Sequence, residues 1–412
     1  MESKVMEIAQ TEMYMFAMVF LLGLIATRLA ERIRIPDVAL FLILGMLVGP
    51  AGFNWIVQPG NSVAYQFIIL IGSTLILFEG GRAIQFSVLK RVWITVTLLS
   101  VPGVLITAAI VTAAAVAVLK LPILYAALLA AVIASTDPAT LIPVFRQVAV
   151  EPRVRQTVES ESAFNDATGS ILTFTVLGLI LGETRFSAID TIWSFIREAG
   201  GGLIVGILVG WLGLLFTSEH RIGLFRRYGT VVSLLVAIGS YLTAGGIHAS
   251  GFMATFAAGV VFGNPDLFRL RIPEDTVSEI VLFGDTVTLL LRKLIFVLLG
   301  TQVNFAVLSQ YWWQGVLVVL VLMFVARPLA VLACALPDRL ARWRWREVFF
   351  FFWVRETGVI PAALSGMIVG AGVAHADVIA AVTFIAILFT IVLQASTTGV
   401  VARWLGVAVT KE

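Results

Sequence analysis

The chain has 412 residues, 59% of them hydrophobic and 13% charged, and its mean hydropathy of +1.01 lies outside the range of soluble globular domains. This excludes a soluble enzyme and leaves an integral membrane protein with room for roughly a dozen spans of about 20 residues and little else. The net charge of +3 is no nucleic-acid footprint, because basic residues in membrane proteins mark cytoplasmic loops, and the one cysteine, Cys334, excludes an internal disulfide and a thiolate metal cluster.

The amino terminus, MESKVMEIAQTE, is polar and acidic and lacks the basic start and small-residue cleavage site of a signal, so the first apolar segment is expected to be retained. Apolar runs between Pro, Gly and charge clusters predict about thirteen spans, at approximately 12–29, 37–53, 64–81, 92–118, 121–146, 157–182, 199–217, 229–246, 249–264, 284–304, 314–336, 347–370 and 377–402. Every second connector is basic: Arg28, Arg32 and Arg34; Arg82, Lys90 and Arg91; Arg146, Arg153 and Arg155; Arg221, Arg226 and Arg227; Arg269 and Arg271; Arg339 to Arg346; Arg403 and Lys411. The opposite connectors hold only Lys4, Lys120, Arg185 and Arg197. The expected topology has the carboxyl terminus in the cytoplasm and the amino terminus outside.

The polar residues within this apolar frame are concentrated between 131 and 174. Asp137 sits before Pro138 in the fifth span, and Glu159, Glu161, Ser162, Asn165 and Asp166 lie on the sixth. At a rise of 1.5 Å per residue, Asp137, Asp166 and Arg327 each fall about 14 Å from the cytoplasmic end, near the midplane of a core roughly 30 Å thick. Ser162 and Asp166 share one helix face, and Glu161 and Asn165 an adjacent one. Pro138 predicts a bend or unwinding near Thr136 and Asp137, and Arg355, Glu356, Thr357, Gly358 and Pro361 predict a second interruption in the twelfth span. An odd offset between these spans reverses their direction, and paired broken helices in inverted halves point to a secondary transporter with a midplane site.

Asp137, Asp166, Ser162 and carbonyls freed at the kink are hard oxygen ligands suited to a hard cation, and the same carboxylates take protons instead. Competition of cation and proton for one site is antiport chemistry. The plainer reading of Asp137, a carboxylate capping a proline kink, leaves a second carboxylate at equal depth unexplained. Arg327 and Arg355 need partners at this depth, with Glu161 and Glu356 the candidates, so Glu161 either pairs with Arg327 or contacts the ion. Glu79, at the inner end of the third span, is either a solvated interfacial residue or reaches the ion through water. Gly202, Gly206 and Gly210 allow close helix packing, within one protomer or between two. Arg292 and Lys293 either neutralise the ion site or meet the headgroups by snorkelling. His220, His248 and His375 are scattered in connectors and make no metal site. An intramembrane aspartyl protease also uses two midplane aspartates, but these aspartates follow Thr136 and Asn165, and the paired breaks stay unexplained. A cation channel is the third alternative.

IPDVALFLILGMLVGP, LFEGGR, STDPAT and ESESAFNDA, with VARP at Arg327 and the segment at Arg355, resemble the sodium/proton exchanger branch of the monovalent cation/proton antiporters over nearly the whole chain. The resemblance implies an all-α membrane fold of about thirteen helices with inverted repeats and two crossed, interrupted helices. It implies a homodimer working by elevator-like movement, with a core including 92–182 and 284–370 and a dimerisation scaffold including 12–53 and 199–264. By the same resemblance Asp137, Asp166, Ser162 and the Thr136 backbone hold the ion, Glu79 assists through water, and Glu161 pairs with Arg327. Asn165 implies electroneutral exchange of one cation for one proton. Arg-Glu-Thr-Gly at 355–358 departs from the family's usual arginine-glycine, and the expectation is that no cytoplasmic regulatory tail follows the last span. The expectation is a homodimeric Na+ (or Li+)/H+ antiporter of the inner or plasma membrane, in contact with lipid, needing no cofactor and no nucleotide. K+/H+ exchange is the close rival.

Overall fold

Hydropathy marks the part of a helix that lies in lipid, and in this protein many helices run past it. The computed structural model describes residues 2–33, 37–57, 62–136, 145, 149–182, 188–219 and 223–409. Asp137 and Pro138, with Arg34, Arg146, Arg185, His220, Arg221 and Lys411, lie outside the described residues. The first helices are α1 (Glu2–Ile33), α2 (Asp37–Val48) and α3 (Val63–Arg82). α4 (Phe86–Leu98) and α5 (Val104–Leu119) form one rod through a π-helical turn at Leu99–Gly103. Then come α6 (Ile123–Ala134), α7 (Pro152–Ile180), α8 (Ala188–Thr217), α9 (Gly229–Gly246), α10 (Gly251–Phe262) and α11 (Glu274–Thr301). A second π turn, Leu322–Ala326, joins α12 (Phe305–Val321) to α13 (Arg327–Ala335). An extended break separates α14 (Trp345–Trp353) from α15 (Val359–Gly370), and a third π turn, Thr390–Ala395, joins α16 (Ala376–Phe389) to α17 (Ser396–Leu405).

Each predicted span overlaps a helix or joined pair, and the protein is an all-helical membrane protein. The only β contact among the described residues is the antiparallel bridge between Val150 and Ala408. The largest differences from the predicted spans are polar extensions: α11 begins at Glu274 and α8 at Ala188, because a helix continues into water where hydropathy no longer marks it. The second span is shorter than expected, since the chain leaves α2 at Val48 and the amides of Phe53 to Ile56 fold back onto the carbonyls of Leu47, Val48 and Gly49.

Lipid tails are as apolar as leucine, so helices associate in the membrane through close packing rather than a hydrophobic drive. α10 lies between α3 and α8, and α11 runs along α2 and α3. The stripe Gly202, Gly206 and Gly210 sits on α10 within the protomer: a Cβ at these positions would come 2.5, 2.2 and 2.8 Å from the carbonyl oxygens of Ser250, Ala254 and Ala258. Residues 284–301 belong to α11 and pack with α1, α2 and α3, beside the segments 12–53 and 199–264. The remaining helices form a second set, in which α6 packs on α5 and α7, α4 on α7, and α12 on α5 and α16. Arg292 and Lys293 are buried in the first set, Arg292 3.9 Å from Asp37 and the Lys293 stem against Gly23.

Candidate functional site

Two helices stop where an α-helix through the membrane should continue, and their ends define the site. α6 ends at Ala134, and Ser135 turns to an extended conformation, φ −77° and ψ 160°. Its counterpart, α14, ends at Trp353, and α15 restarts at Val359 after Gly358, with φ −154° and ψ −127°. Each break leaves carbonyls at a helix C-terminus, the negative end of the helix dipole, with no intrahelical donor.

Two buried arginines supply the donors, each to a different broken helix. Arg355, 1% exposed, donates from Nη2 to the carbonyls of Ile133 (2.6 Å) and Ala134 (2.9 Å) and from Nη1 to the Thr357 hydroxyl at 3.3 Å. Arg327 donates from Nε to the carbonyl of Phe351 (2.9 Å) and from Nη2 to that of Val354 (3.3 Å), at the end of α14. Its Nη1 and Nη2 also grip Glu161, at 2.5 Å to Oε1 and 2.8 Å to Oε2. The bidentate fork is the geometry that makes arginine suited to a buried carboxylate.

The helices that follow the breaks hold the extended peptides. On α7, the Asn165 Oδ1 accepts from the Thr136 N–H at 3.0 Å, and its Nδ2 donates to the Thr136 hydroxyl at 2.8 Å and towards Glu161 Oε1 at 3.4 Å. The Ser162 and Thr136 hydroxyls are 2.9 Å apart. Gly169 lets α7 lie directly on the break, since a Cβ there would come 2.9 Å from the Ser135 Cβ. In the other half, Thr390 accepts from the Thr357 N–H at 3.0 Å. Inverted halves thus use the same device, a side chain of the next helix accepting from the amide of the extended threonine.

The three π turns among the described residues fall at this crossing, where such turns often mark functional positions. The first carries Ser100, whose hydroxyl donates to the Glu161 carbonyl at 3.2 Å, the second leads into Arg327, and the third begins with Thr390. Pro102 and Pro328 account for the first two, because proline removes a ladder donor and displaces the preceding turn. Sequence reading placed Thr357 in the second interruption but missed Ser100, Gly169 and Thr390, for a lone hydroxyl or glycine in an apolar span carries no signal of its own.

Asp166 is wholly buried on α7, on the same face as Ser162. Glu356 is also wholly buried, beside Arg355 in the second break. Glu79 lies apart, on α3, paired to Arg82 (Nε to Oε2, 2.8 Å) and seated on α11 at Gly284, where a Cβ would come within 2.2 Å of its carboxylate. Further polar ties knit the second helix set together: Asp338 accepts from the Thr95 amide (3.1 Å) and hydroxyl (2.6 Å), and Arg153 pairs with Glu347.

A family model described as "sodium/hydrogen exchanger, transmembrane" matches residues 17–404. The chain belongs to this family. Among its relatives, Na(+)/H(+) antiporter 1 of Methanocaldococcus jannaschii is 32% identical over 408 residues, covering 92% of each chain. The K(+)/H(+) antiporter NhaP of Alkalimonas amylolytica is 30% identical, covering 99% of this chain and 69% of that one. A solved structure of the sodium proton antiporter of M. jannaschii at pH 8 superposes with a TM-score of 0.79 at 31% identity, covering 97% of this chain and 99% of that one. Against that exchanger fold, the two crossed breaks and their arginine caps span the two inverted halves of the family member described here.

Proposed function

We propose that this exchanger is a secondary active antiporter that moves Na+ (or Li+) against H+ across the inner or plasma membrane. The observation that carries the reading is the wholly buried Asp166, aligned on α7 with a Ser162 hydroxyl that meets Thr136 at the end of a broken helix. A carboxylate at this depth is stable only when a proton, a cation or a fixed positive charge neutralises it. The fixed charge of Arg327 is engaged by Glu161, and Asp166 lies one helical turn from Ser162, on the face where proton and cation would alternate. Asp166, Asp137, Ser162 and Thr136 then form the cation site, with Glu79 assisting through water. Glu161, Arg327, Asn165, Arg355 and Glu356 hold the crossing in shape.

Proton and cation alternate at the site, so each ion drives the other and no cofactor is needed. Asn165 brings no charge, which fits one cation for one proton. The helices between 86 and 182 and between 305 and 405 are the moving core, and 2–82 with 188–301 the scaffold of a lipid-embedded homodimer. K+/H+ exchange is the second reading, favoured by the similarity to the Alkalimonas antiporter. The test is cation-induced dissipation of a proton gradient in proteoliposomes with sodium, lithium and potassium, the membrane potential clamped or free. Sodium and lithium responses that ignore the potential are expected. A potassium response alone selects the second reading, and no response to any cation overturns both.

A further inference from the structure

Away from the crossing, a cavity of about 310 Å³ opens between the ends of α3, α11, α12, α15 and α16. Its walls include Tyr65, Gln302, Asn304, Ser365, Asp377 and Thr383. Two hydroxyls in this wall, Tyr65 Oη and Thr383 Oγ1, belong to residues only 1% exposed and have no hydrogen-bond partner among the described residues. A buried polar group left without a partner costs about 1–3 kcal/mol, so two of them lining one cavity point to an occupant that supplies the missing bonds. Among the described lining residues Asp377 is the one acidic side chain, and none is basic.

The charge and the ligand atoms both select a cation. Hydroxyl, amide and carboxylate oxygens suit a hard monovalent ion, and a lone carboxylate at the mouth raises its local concentration. The volume admits an ion with a partial shell, at about 30 Å³ for each water. The connectors at this end, 302–304 and 371–375, hold no Lys or Arg, which marks the side opposite the cytoplasm. From Asp377, Thr383 lies about 9 Å deeper along α16. Thr383, Ile387 and Thr390 then follow at i, i+4 and i+7 on one face, and Thr390 is the residue that accepts from Thr357 in the second break.

We propose that this cavity is an outer subsite for the transported monovalent cation, held partly hydrated by Tyr65, Thr383 and Asp377 before it passes along the Thr383–Thr390 face to the crossing. The proposal rests on the antiport reading of the crossing. Its test uses the full chain with Ala381, another lining residue, replaced by cysteine (Ala381→Cys) and probed in intact cells with impermeant cationic and anionic methanethiosulfonates. The wild-type chain, whose Cys334 is buried, is the control. The cationic reagent should react faster than the anionic one, and saturating sodium should slow it. In proteoliposomes, Thr383→Val and Tyr65→Phe should raise the half-saturating cation concentration on that side about fivefold, the worth of roughly 1 kcal/mol of lost ligation, with the maximal rate unchanged. Labelling indifferent to reagent charge and to sodium, or wild-type kinetics in both variants, overturns the subsite. Protection by added phospholipid but not by sodium also overturns it, in favour of a lipid occupant. If the wild-type chain moves no cation at all, the antiport reading fails, while sodium protection of the cysteine still reports cation binding in the cavity.

Discussion

Asn165 holds Thr136 by both ends of its side-chain amide, accepting from the Thr136 N–H at 3.0 Å and donating to its hydroxyl at 2.8 Å. A side-chain amide carries an acceptor and a donor side by side on one planar group, which lets it do both at a single residue. Asn165→Asp keeps the acceptor, loses the donor and sets a second negative charge beside Glu161. The variant should lose about 1–3 kcal/mol of stability and bind sodium more weakly, read as an earlier melt in detergent and a raised half-saturating concentration. An Asp variant as stable as the parent would show that the amide is not a clamp.

Arg327 ties three elements together: Glu161 on α7 and the carbonyls of Phe351 and Val354 at the second break. Removing one partner of a buried ion pair strands the other and costs about 3–5 kcal/mol. Glu161→Gln should therefore lower the melting temperature sharply. Arg327→Lys should do the same, because an ammonium cannot make the fork. Full stability of either variant would mean that the pair is incidental to the fold.

Arg355 acts on main chain, capping the carbonyls of Ile133 and Ala134. Arg355→Gln keeps a donor but removes the charge opposite the dipole of α6, an interaction worth up to about 2 kcal/mol when buried. Exchange should fall at least about tenfold while the protein still elutes as the parent does in size-exclusion chromatography, since the helix end next to the proposed ion ligands would shift. Unchanged exchange would separate the arginine from the ion site.

These contacts show what the sequence could and could not convey. The spans were legible because about 20 apolar residues between charged connectors leave little other reading, and the two breaks because proline and glycine clusters interrupt them. The choice of arginine partners was not legible in the same way: a backbone carbonyl has no letter, so the caps on Ile133, Ala134, Phe351 and Val354 are visible only in three dimensions. Polar extensions such as the start of α11 at Glu274 escaped for the opposite reason, because hydropathy reports lipid and not helix. The π turns were silent, as they change the hydrogen-bond register and leave composition untouched.

Asp166 carries the proposed exchange, and its prediction has a sign. A proton and a cation compete for the same carboxylate, so lowering the pH fills the site with protons and weakens cation binding. The half-saturating sodium concentration should then rise about tenfold for each pH unit, the slope expected for one proton displacing one cation, while the maximal rate at saturating sodium changes less. Asp166→Asn mimics the protonated form permanently. It should abolish sodium-driven proton movement and leave a folded protein that elutes as the parent does in size-exclusion chromatography. Asp166→Glu keeps the charge and should retain pH-dependent exchange at reduced affinity. Sodium-driven proton flux in the Asn variant, or a sodium dependence in the parent that ignores pH, would move the exchange site away from α7.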